Sequence, residues 1–218
     1  MDNNFAVDST EDSIIFYHEW LDVADYELKL LILTSILAEN NLAYRGNLTN
    51  MCEWLGVKQN ANNNSNIKRA IESLENKGLI FYKLDGRIYT ITISERGMKD
   101  KKIVRIRKAW VSAFKKYNKD GNNNRIDKNI SIDWIKILRV FVYLYSKKMN
   151  KPIKIEDIAM DLNVSKTTAS NAIKAIQSCE LCGIRMYKNT IRNCVMKDGD
   201  PTYYNVGTDM GFIIIFDE

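Results

Sequence analysis

The segment from Ile153 to Ile184 constrains the fold more than any other, because two amphipathic patterns follow each other within it. In the first pattern, apolar residues recur at intervals of three and four positions, as Ile155, Ile158, Ala159 and Leu162. Such spacing gives a helix one apolar stripe. Asn163 and Val164 interrupt the pattern, and Ser165 can cap a following helix by accepting a hydrogen bond from one of its first amides. The segment therefore predicts two helices joined by a tight turn, which is the spacing of a helix-turn-helix.

The second helix of this pair has two chemically different faces when residues are placed 100° apart. The apolar face consists of Ala169, Ala172, Ile173 and Ile176. The opposite arc contains no carboxylate and consists of Lys166, Thr167, Ser170, Asn171, Lys174, Gln177 and Ser178. Lysine can neutralise phosphate, and asparagine can form two hydrogen bonds with a base edge. We therefore predict a DNA-binding face, with an ordinary solvated helix face as the alternative. Its candidate residues are Lys166, Thr167, Thr168, Ser170, Asn171 and Lys174.

The first half of the chain has three helical patterns of its own. The first runs from Tyr26 to Ala38, and the second is a short helix that Asn47 or Thr49 can cap and Gly56 can end. The third has an apolar face formed by Ile67, Ala70, Ile71 and Leu74. We predict that the Asn-rich stretch from Gln59 to Ser65 is a turn before this helix. That turn would be longer than its counterpart in the second half by about five residues, which surface connections tolerate.

A hairpin is predicted after the third helix, because two strand-like runs flank Asp85-Gly86. Lys83 and Arg87 lie beside the predicted tip and are candidate DNA contacts. On the third helix, the candidates Lys68 and Arg69 are offset by two glutamates, Glu72 and Glu75. A nearly neutral face is a poorer DNA reader. Three roles therefore stay open for this domain: dimerisation, binding of another protein, and DNA contact through its loop and hairpin.

The most basic part of the chain is residues 99 to 119, which have nine lysines and arginines against Asp100 alone. Apolar residues interleave with these charges at spacings that permit a connecting helix. The segment could follow the phosphate backbone or could be a solvated connector. Asn118 to Asn129, with Asp120-Gly121 near its start, is the clearest linker. The predicted domains are therefore residues 1–98, a basic helix and linker at 99–130, and residues 131–218.

The second domain begins with a predicted helix from Ile132 to Lys147. After the two helices described above, Leu181 to Tyr187 and Ile191 to Met196 have the composition of strands. Lys188 and Arg192 would lie near the tip between these strands and are further candidate DNA contacts. Phe212 to Phe216 is predicted to form a final buried strand, although the strand order does not follow from the sequence.

Charge and hydropathy limit the class of protein. The formal net charge is +5, yet residues 1 to 30 contain eight carboxylates and one lysine, so the remainder is more basic than the average. A basic charge of this kind over the residues after position 30 is typical of a polyanion-binding protein. No apolar run approaches the roughly 18 to 20 residues that cross a bilayer. The start of the chain also lacks the features of a secretory signal. We therefore expect a cytoplasmic protein without a membrane partner.

Motifs of catalysis are missing from the sequence. It has no phosphate-binding glycine loop, no nucleophile elbow and only one histidine, His18, so an enzyme is not expected. Cys179 and Cys182 have the spacing of a ligand pair, and Cys194 could join them, but a fourth ligand is not evident. The expected state is reduced structural thiols. We therefore expect neither a metal ion nor a cofactor.

In element order, residues 26–97 and 131–196 resemble the tandem winged-helix proteins, which include the replication initiators of plasmids and phages. The residues that support this resemblance most closely are Leu162–Ile176 and, in the first domain, Asn66–Ile80. The resemblance implies that the second domain reads a repeated origin site in double-stranded DNA. It also implies that the first domain can switch between homodimerisation and DNA contact, and that other replication proteins are partners.

The prediction for the fold is accordingly α+β and mostly α, with two winged helix-turn-helix domains joined by a basic helix and linker. The same patterns occur in transcription regulators, so a winged-helix repressor is the alternative function. A protein-binding adaptor without DNA readout is a third, because the fold does not fix the function.

Overall fold

The computed structural model describes two compact units, Met1–Lys115 and Lys116–Glu218. The described residues are 13–38, 43–94, 102–117, 132–147 and 153–179, together with the backbone of strands 184–189, 193–197, 200–204 and 211–216. They form an α+β structure that is mostly helical, with seven α-helices and small antiparallel sheets. None of the helices in these residues is long and apolar enough to cross a membrane.

Unit one consists of five strands and four α-helices in its described residues. In chain order these are β1 (Ser13–Tyr17), a 3-10 helix (His18–Asp22), α1 (Asp25–Leu37), β2 (Tyr44–Gly46), α2 (Leu48–Leu55), α3 (Ala61–Asn76), β3 (Ile80–Asp85), β4 (Ile88–Ile93), β5 (Ile103–Arg107) and α4 (Lys108–Tyr117), in whose last turn the boundary between the units falls. Strands β2, β4 and β3 form one sheet in that order, and β1 pairs with β5. Helix α1 forms the centre of the core, since Leu28 and residues 30–33 are all buried.

Helix α3 begins earlier than its apolar pattern indicates. Asn60 caps it by accepting a hydrogen bond from the Asn63 amide over 2.8 Å. The side chain of Asn63 in turn accepts from the Tyr26 hydroxyl at 2.8 Å and donates to the Lys58 carbonyl at 2.7 Å. These bonds to α1 and to the preceding turn offset the low helix propensity of asparagine. The prediction of a long Asn-rich turn is therefore wrong, because the turn comprises residues 56–60 only.

The basic segment contains a strand as well as the predicted connecting helix. Residues 103–107 form a strand, β5, and only Lys108–Tyr117 is helical among the described residues of this segment. The reason is a two-residue alternation, in which Ile106 is buried while Arg105 and Arg107 are exposed. Pairing with β1 then attaches the segment to unit one. The predicted linker, Asn118 to Asn129, lies outside the described residues.

The hairpin of unit one differs from its prediction by one position. Asp85 pairs with Ile88, so the two-residue loop is Gly86-Arg87 and not Asp85-Gly86. Gly86 occupies the first loop position with a φ of 59°. This left-handed conformation suits glycine and matches the twist of the flanking strands. Lys83 and Arg87 are exposed beside the loop.

Unit two has three helices and five strands in its described residues. They are α5 (Trp134–Ser146), β6 (Ile153–Lys154), α6 (Ile155–Asp161), α7 (Lys166–Ser178), β7 (Ile184–Asn189), β8 (Asn193–Lys197), β9 (Asp200–Tyr204) and β10 (Gly211–Phe216). The strands that were predicted to neighbour each other, β7 and β8, belong to different sheets. Strand β10 instead lies between β6 and β7, a central place that favours a run as apolar as Phe212 to Phe216.

The two units repeat one order of elements. Each has a helix, a short strand, a short helix, a turn, a longer helix and two further strands of the same sheet, ordered β2-β4-β3 in one unit and β6-β10-β7 in the other. Unit two contains the additional hairpin β8–β9 in the connection where unit one has only Gly86-Arg87. The internal repeat is thus a property of the backbone and not only of the helical patterns.

The buried carboxylate of Glu27 connects α1 to the end of α3. Its residue is 4% exposed, and both carboxylate oxygens accept from Lys77 Nζ, at 2.7 and 2.8 Å. Burial raises the pKa of Glu27, but hydrogen bonds from Lys77, Ser73 and the Ala24 amide outweigh it, so that the net pKa is below the ordinary value. Because the pKa of Glu27 is lower in the folded state than in the unfolded state, its ionised carboxylate stabilises the fold at pH values above the ordinary pKa. That contribution is lost as the pH falls through the folded-state pKa.

We predict that Lys77→Met lowers the free energy of unfolding by about 1 kcal/mol at pH 7, a value reduced because the Lys77 side chain is 45% exposed. Urea unfolding followed by circular dichroism measures this difference. The difference should become smaller below about pH 4.3, the ordinary pKa of glutamate, as Glu27 takes up a proton. Lys83→Met, at an exposed position of β3, is the control and should leave stability unchanged. An equal loss in both variants, or a loss independent of pH, would contradict the assignment.

Candidate nucleic-acid interface

The helix α7 is fixed at its start and along one face. Ser165 caps it by accepting from the Thr168 amide at 3.0 Å. The buried face, which packs with α5, consists of Ala169, Ala172, Ile173, Ala175 and Ile176. These contacts determine which side of α7 faces solvent. They leave a polar face whose composition can be compared with the prediction.

The structure places the predicted residues of α7 on the polar side, with one exception. Lys166, Thr167, Lys174 and Gln177 are exposed, whereas Ser170 and Asn171 are half-buried. The exception is Thr168, whose hydroxyl lies 2.8 Å from the Ser165 hydroxyl. Both its amide and its hydroxyl therefore belong to the cap, and Thr168 is a structural residue of the helix start. The exposed set combines two lysines with hydroxyl and amide groups.

A carboxylate borders this face although α7 itself contains none. Lys166 Nζ lies 3.0 Å from Glu156 Oε1 of the preceding helix, and both side chains are largely exposed. The pKa of Glu156 is lowered, first by a hydrogen bond with its own backbone and then by Lys166. The charge of Lys166 is therefore partly neutralised, which the spacing within α7 could not indicate.

The turn between α6 and α7 is held by a polar cluster at the end of α6. The Tyr143 hydroxyl donates to Asp161 Oδ2 at 2.5 Å, and Lys147 Nζ lies 3.5 Å from the same carboxylate oxygen. Burial, and then the bond to Asp161, raise the pKa of the Tyr143 hydroxyl, so it stays protonated and a donor. Because Tyr143 and Lys147 belong to the end of α5, this cluster fixes α6 against α5.

In unit one, the predicted residues lie on α3 and on the hairpin. Lys68 and Arg69 are exposed on α3, and Arg69 Nη2 donates to Asn66 Oδ1 at 3.1 Å. Sequence reasoning missed Asn62 and Ser65 as surface residues of this helix, and it gave Asn66 no role. The available signal was Asn60, a favoured cap residue, but Asn-rich segments also favour turns.

The basic segment contributes exposed arginines and one structural lysine. Arg105 and Arg107 are exposed on β5, and the Arg107 guanidinium lies 6.0 Å from the ring centre of Trp110. Lys115 instead contacts Trp54. Its Nζ donates to the Trp54 backbone carbonyl and lies 3.5 Å from the centre of the Trp54 ring. Residues 102–117 thus contain exposed cations and one cation, Lys115, that the fold holds.

The remaining predicted residues cannot all be assigned a side-chain position. Lys188 lies in β7, where its backbone pairs with Phe212, and Arg192 lies outside the described residues.

Within the described part of the chain, no group of three or more potential ligands could hold a metal ion. Burial raises the pKa of the Cys179 thiol to about 11, which disfavours the thiolate that a metal would need. Cys182 is outside the described residues, and of Cys194 only the backbone is described, so the absence of a metal stays a prediction.

The described side chains of α7 that lie together on one face are those of Lys166, Thr167, Ser170, Asn171, Lys174 and Gln177. Comparison with known proteins found no matching family model, no matching curated protein and no matching solved structure.

Proposed function

We propose that the protein is a sequence-specific double-stranded DNA-binding protein built from two winged helix-turn-helix domains, and that α7 enters the major groove. The observation that carries this proposal is the exposed face of α7. That face presents the half-buried Asn171 and the exposed Lys174 on a capped helix whose opposite side is buried. A helix of this kind fits the width of the major groove, where each base pair has a distinct pattern of donors and acceptors.

Three residues of the face have a defined task in this proposal. Asn171 forms two hydrogen bonds with adenine, because its amide offers one acceptor and one donor at the right spacing. Lys166 and Lys174 contact phosphates, which a flexible ammonium can reach from several rotamers. In this proposal the two exposed cations of the hairpin in unit one, Lys83 and Arg87, contact the DNA backbone.

We predict that substituting a base-contacting residue and substituting a phosphate-contacting residue weaken DNA binding in different ways. Asn171→Ala should weaken binding to the preferred duplex by about 1 to 3 kcal/mol and leave binding to a scrambled duplex nearly unchanged, because it removes base discrimination. Lys174→Ala should weaken both duplexes alike and make the salt dependence of binding shallower by about one counterion. Fluorescence anisotropy with both duplexes across a salt series measures these effects. If both variants bind every duplex as the unmodified protein does, α7 is not the DNA-binding helix.

We also predict that Glu156→Gln strengthens binding to any duplex at low salt by about two- to fivefold. The substitution removes a carboxylate that would approach phosphate and releases Lys166 from its ion pair. Added salt should diminish the gain, because both charges are exposed. In a background of Lys166→Ala, most of the gain should disappear, since the double-mutant cycle isolates the interaction of the two residues. A gain of equal size in that background would mean that Glu156 does not act through Lys166.

The biological role proposed is initiation or organisation of replication on a mobile element, with a second copy and replication proteins as further partners. It is supported by the resemblance in element order and by the presence of two repeated units in one chain. Footprinting on the DNA that flanks the gene should protect repeated sites at an AT-rich origin. Protection of one palindrome over a promoter would favour a repressor instead, and no protection would favour a protein-binding adaptor.

A further inference from the structure

The turns before α3 and α7 begin with the same backbone structure. Each contains one left-handed residue, Gly56 with φ 70° and Asn163 with φ 49°, followed by a valine. The amide of Val57 donates to the Cys52 carbonyl at 3.0 Å, and that of Val164 donates to the Ala159 carbonyl at 2.9 Å. The two short helices therefore end in the same way. Counted from the left-handed residue to the cap of the next helix, the turn has five residues in unit one (56–60) and three in unit two (163–165), a difference of two.

The caps give both helices a common starting point. Asn60 accepts from the Asn63 amide, and Ser165 accepts from the Thr168 amide, so each cap bonds the third residue of its helix. Side chains at equal distances from the cap then have equal angular positions. At three positions the burial of the two helices agrees with this register, since Ile67, Ala70 and Ile71 are buried at the positions of Ala172, Ala175 and Ile176. The exposed Lys68 departs from it, because it falls at the position of the buried Ile173.

The same register places matching polar groups on the outward faces. Six residues after the cap, α3 has Asn66 and α7 has Asn171, and both are half-buried. Three residues later, α3 has Arg69 and α7 has Lys174, and both are exposed. The amide and the cation that we propose as the DNA contacts of α7 therefore have counterparts at the same positions of α3.

The glutamates that made α3 appear a poor DNA reader lie further along the helix. Glu72 and Glu75 follow Arg69, whereas residues 61–69 contain no carboxylate. In a helix-turn-helix, it is the N-terminal part of the second helix that contacts base edges. The prediction of a nearly neutral face sets Glu72 and Glu75 against Lys68 and Arg69, but neither glutamate lies in the N-terminal part of α3, which is the part that would enter a groove.

The contact between Asn66 and Arg69 prepares this pair for base recognition. Arg69 Nη2 donates to Asn66 Oδ1 at 3.1 Å, which orients the amide. The oxygen keeps a second lone pair for the adenine amino group, and the amide nitrogen keeps its hydrogens for adenine N7. The other donors of the guanidinium are those that pair with guanine or phosphate.

We propose that α3 is a second sequence-reading helix and that the two units recognise two short DNA subsites, each with an adenine at the equivalent position. Asn66 reads that adenine in one subsite and Asn171 reads it in the other. Arg69 adds a preference for guanine next to the adenine, where Lys174 gives unit two only a phosphate contact. This inference rests on the proposed DNA binding of α7.

The test is selection of bound duplexes from a randomised pool by the full chain and by its variants. The unmodified protein should select two adenine-containing subsites. Asn66→Ala should lose the base preference of one subsite and Asn171→Ala that of the other, and each should bind the selected duplex about tenfold or more weakly. Arg69→Ala, at an exposed position, should relax the base next to the first adenine. It should also weaken the preference for the adenine without abolishing it, because the contact that orients the Asn66 amide is lost.

Asn76→Ala is the matched control, because Asn76 is an exposed asparagine at the other end of α3. It should leave selection and affinity unchanged. If Asn66→Ala and Arg69→Ala behave like this control while Asn171→Ala loses its subsite, the inference is wrong and the proposed function stands. If Asn66→Ala changes the oligomeric state and no base preference, α3 is a protein interface, which also overturns the inference. If the unmodified protein selects no sequence, the proposed function fails and the inference fails with it.

Discussion

The left-handed residue after each short helix is the constraint on which the candidate interface depends. Gly56 and Asn163 reverse the chain direction so that the next amide returns to the helix just completed, through Val57 in unit one and Val164 in unit two. A residue with a positive φ is costly for most side chains, and glycine and asparagine are the two that adopt it most readily. The left-handed residue thus fixes where the short helix ends, and the cap that follows it, Asn60 or Ser165, fixes where the next helix begins.

Ion pairs determine how much of the formal charge can act on a partner. Glu27 binds Lys77, Glu156 binds Lys166, and Lys147 approaches Asp161. The first of these pairs joins α1 to the end of α3, whereas the second lies at the edge of the candidate interface. A lysine in such a pair must exchange its carboxylate for a phosphate before it contributes to DNA binding. The positive charge of Lys166 at the start of α7 is therefore partly neutralised by Glu156. The sequence of α7 alone, which contains no carboxylate, does not indicate this.

Asparagine has three different tasks within the same stretch of unit one. Asn60 caps α3, Asn63 joins it to Tyr26, and Asn66 faces outward with Arg69. The residue type alone does not distinguish these tasks, because each uses the same amide. Their separation follows from the angular step of the helix, which turns neighbouring asparagines toward the cap, the core or solvent. A polar, helix-disfavouring sequence can thus form a regular helix when its side chains are bonded by surrounding elements.

The sequence by itself determined the helical elements whose apolar residues recur at regular intervals. The predicted helix from Tyr26 to Ala38 is α1 within one residue at each end, and the cap at Ser165 and the buried face of α7 are as expected. Local signals of this kind suffice because the cap and the stripe lie within the same few turns.

Only the tertiary structure decided the start of α3, the strand at residues 103–107 and the central position of β10. Each depends on a partner that is distant in the chain: Tyr26 for α3, β1 for β5, and β6 and β7 for β10. The pairing of Lys166 with Glu156 also depends on the tertiary structure, since the two residues lie ten positions apart on different helices. Contacts of this kind have no period in the sequence, and so the folded chain alone determines them.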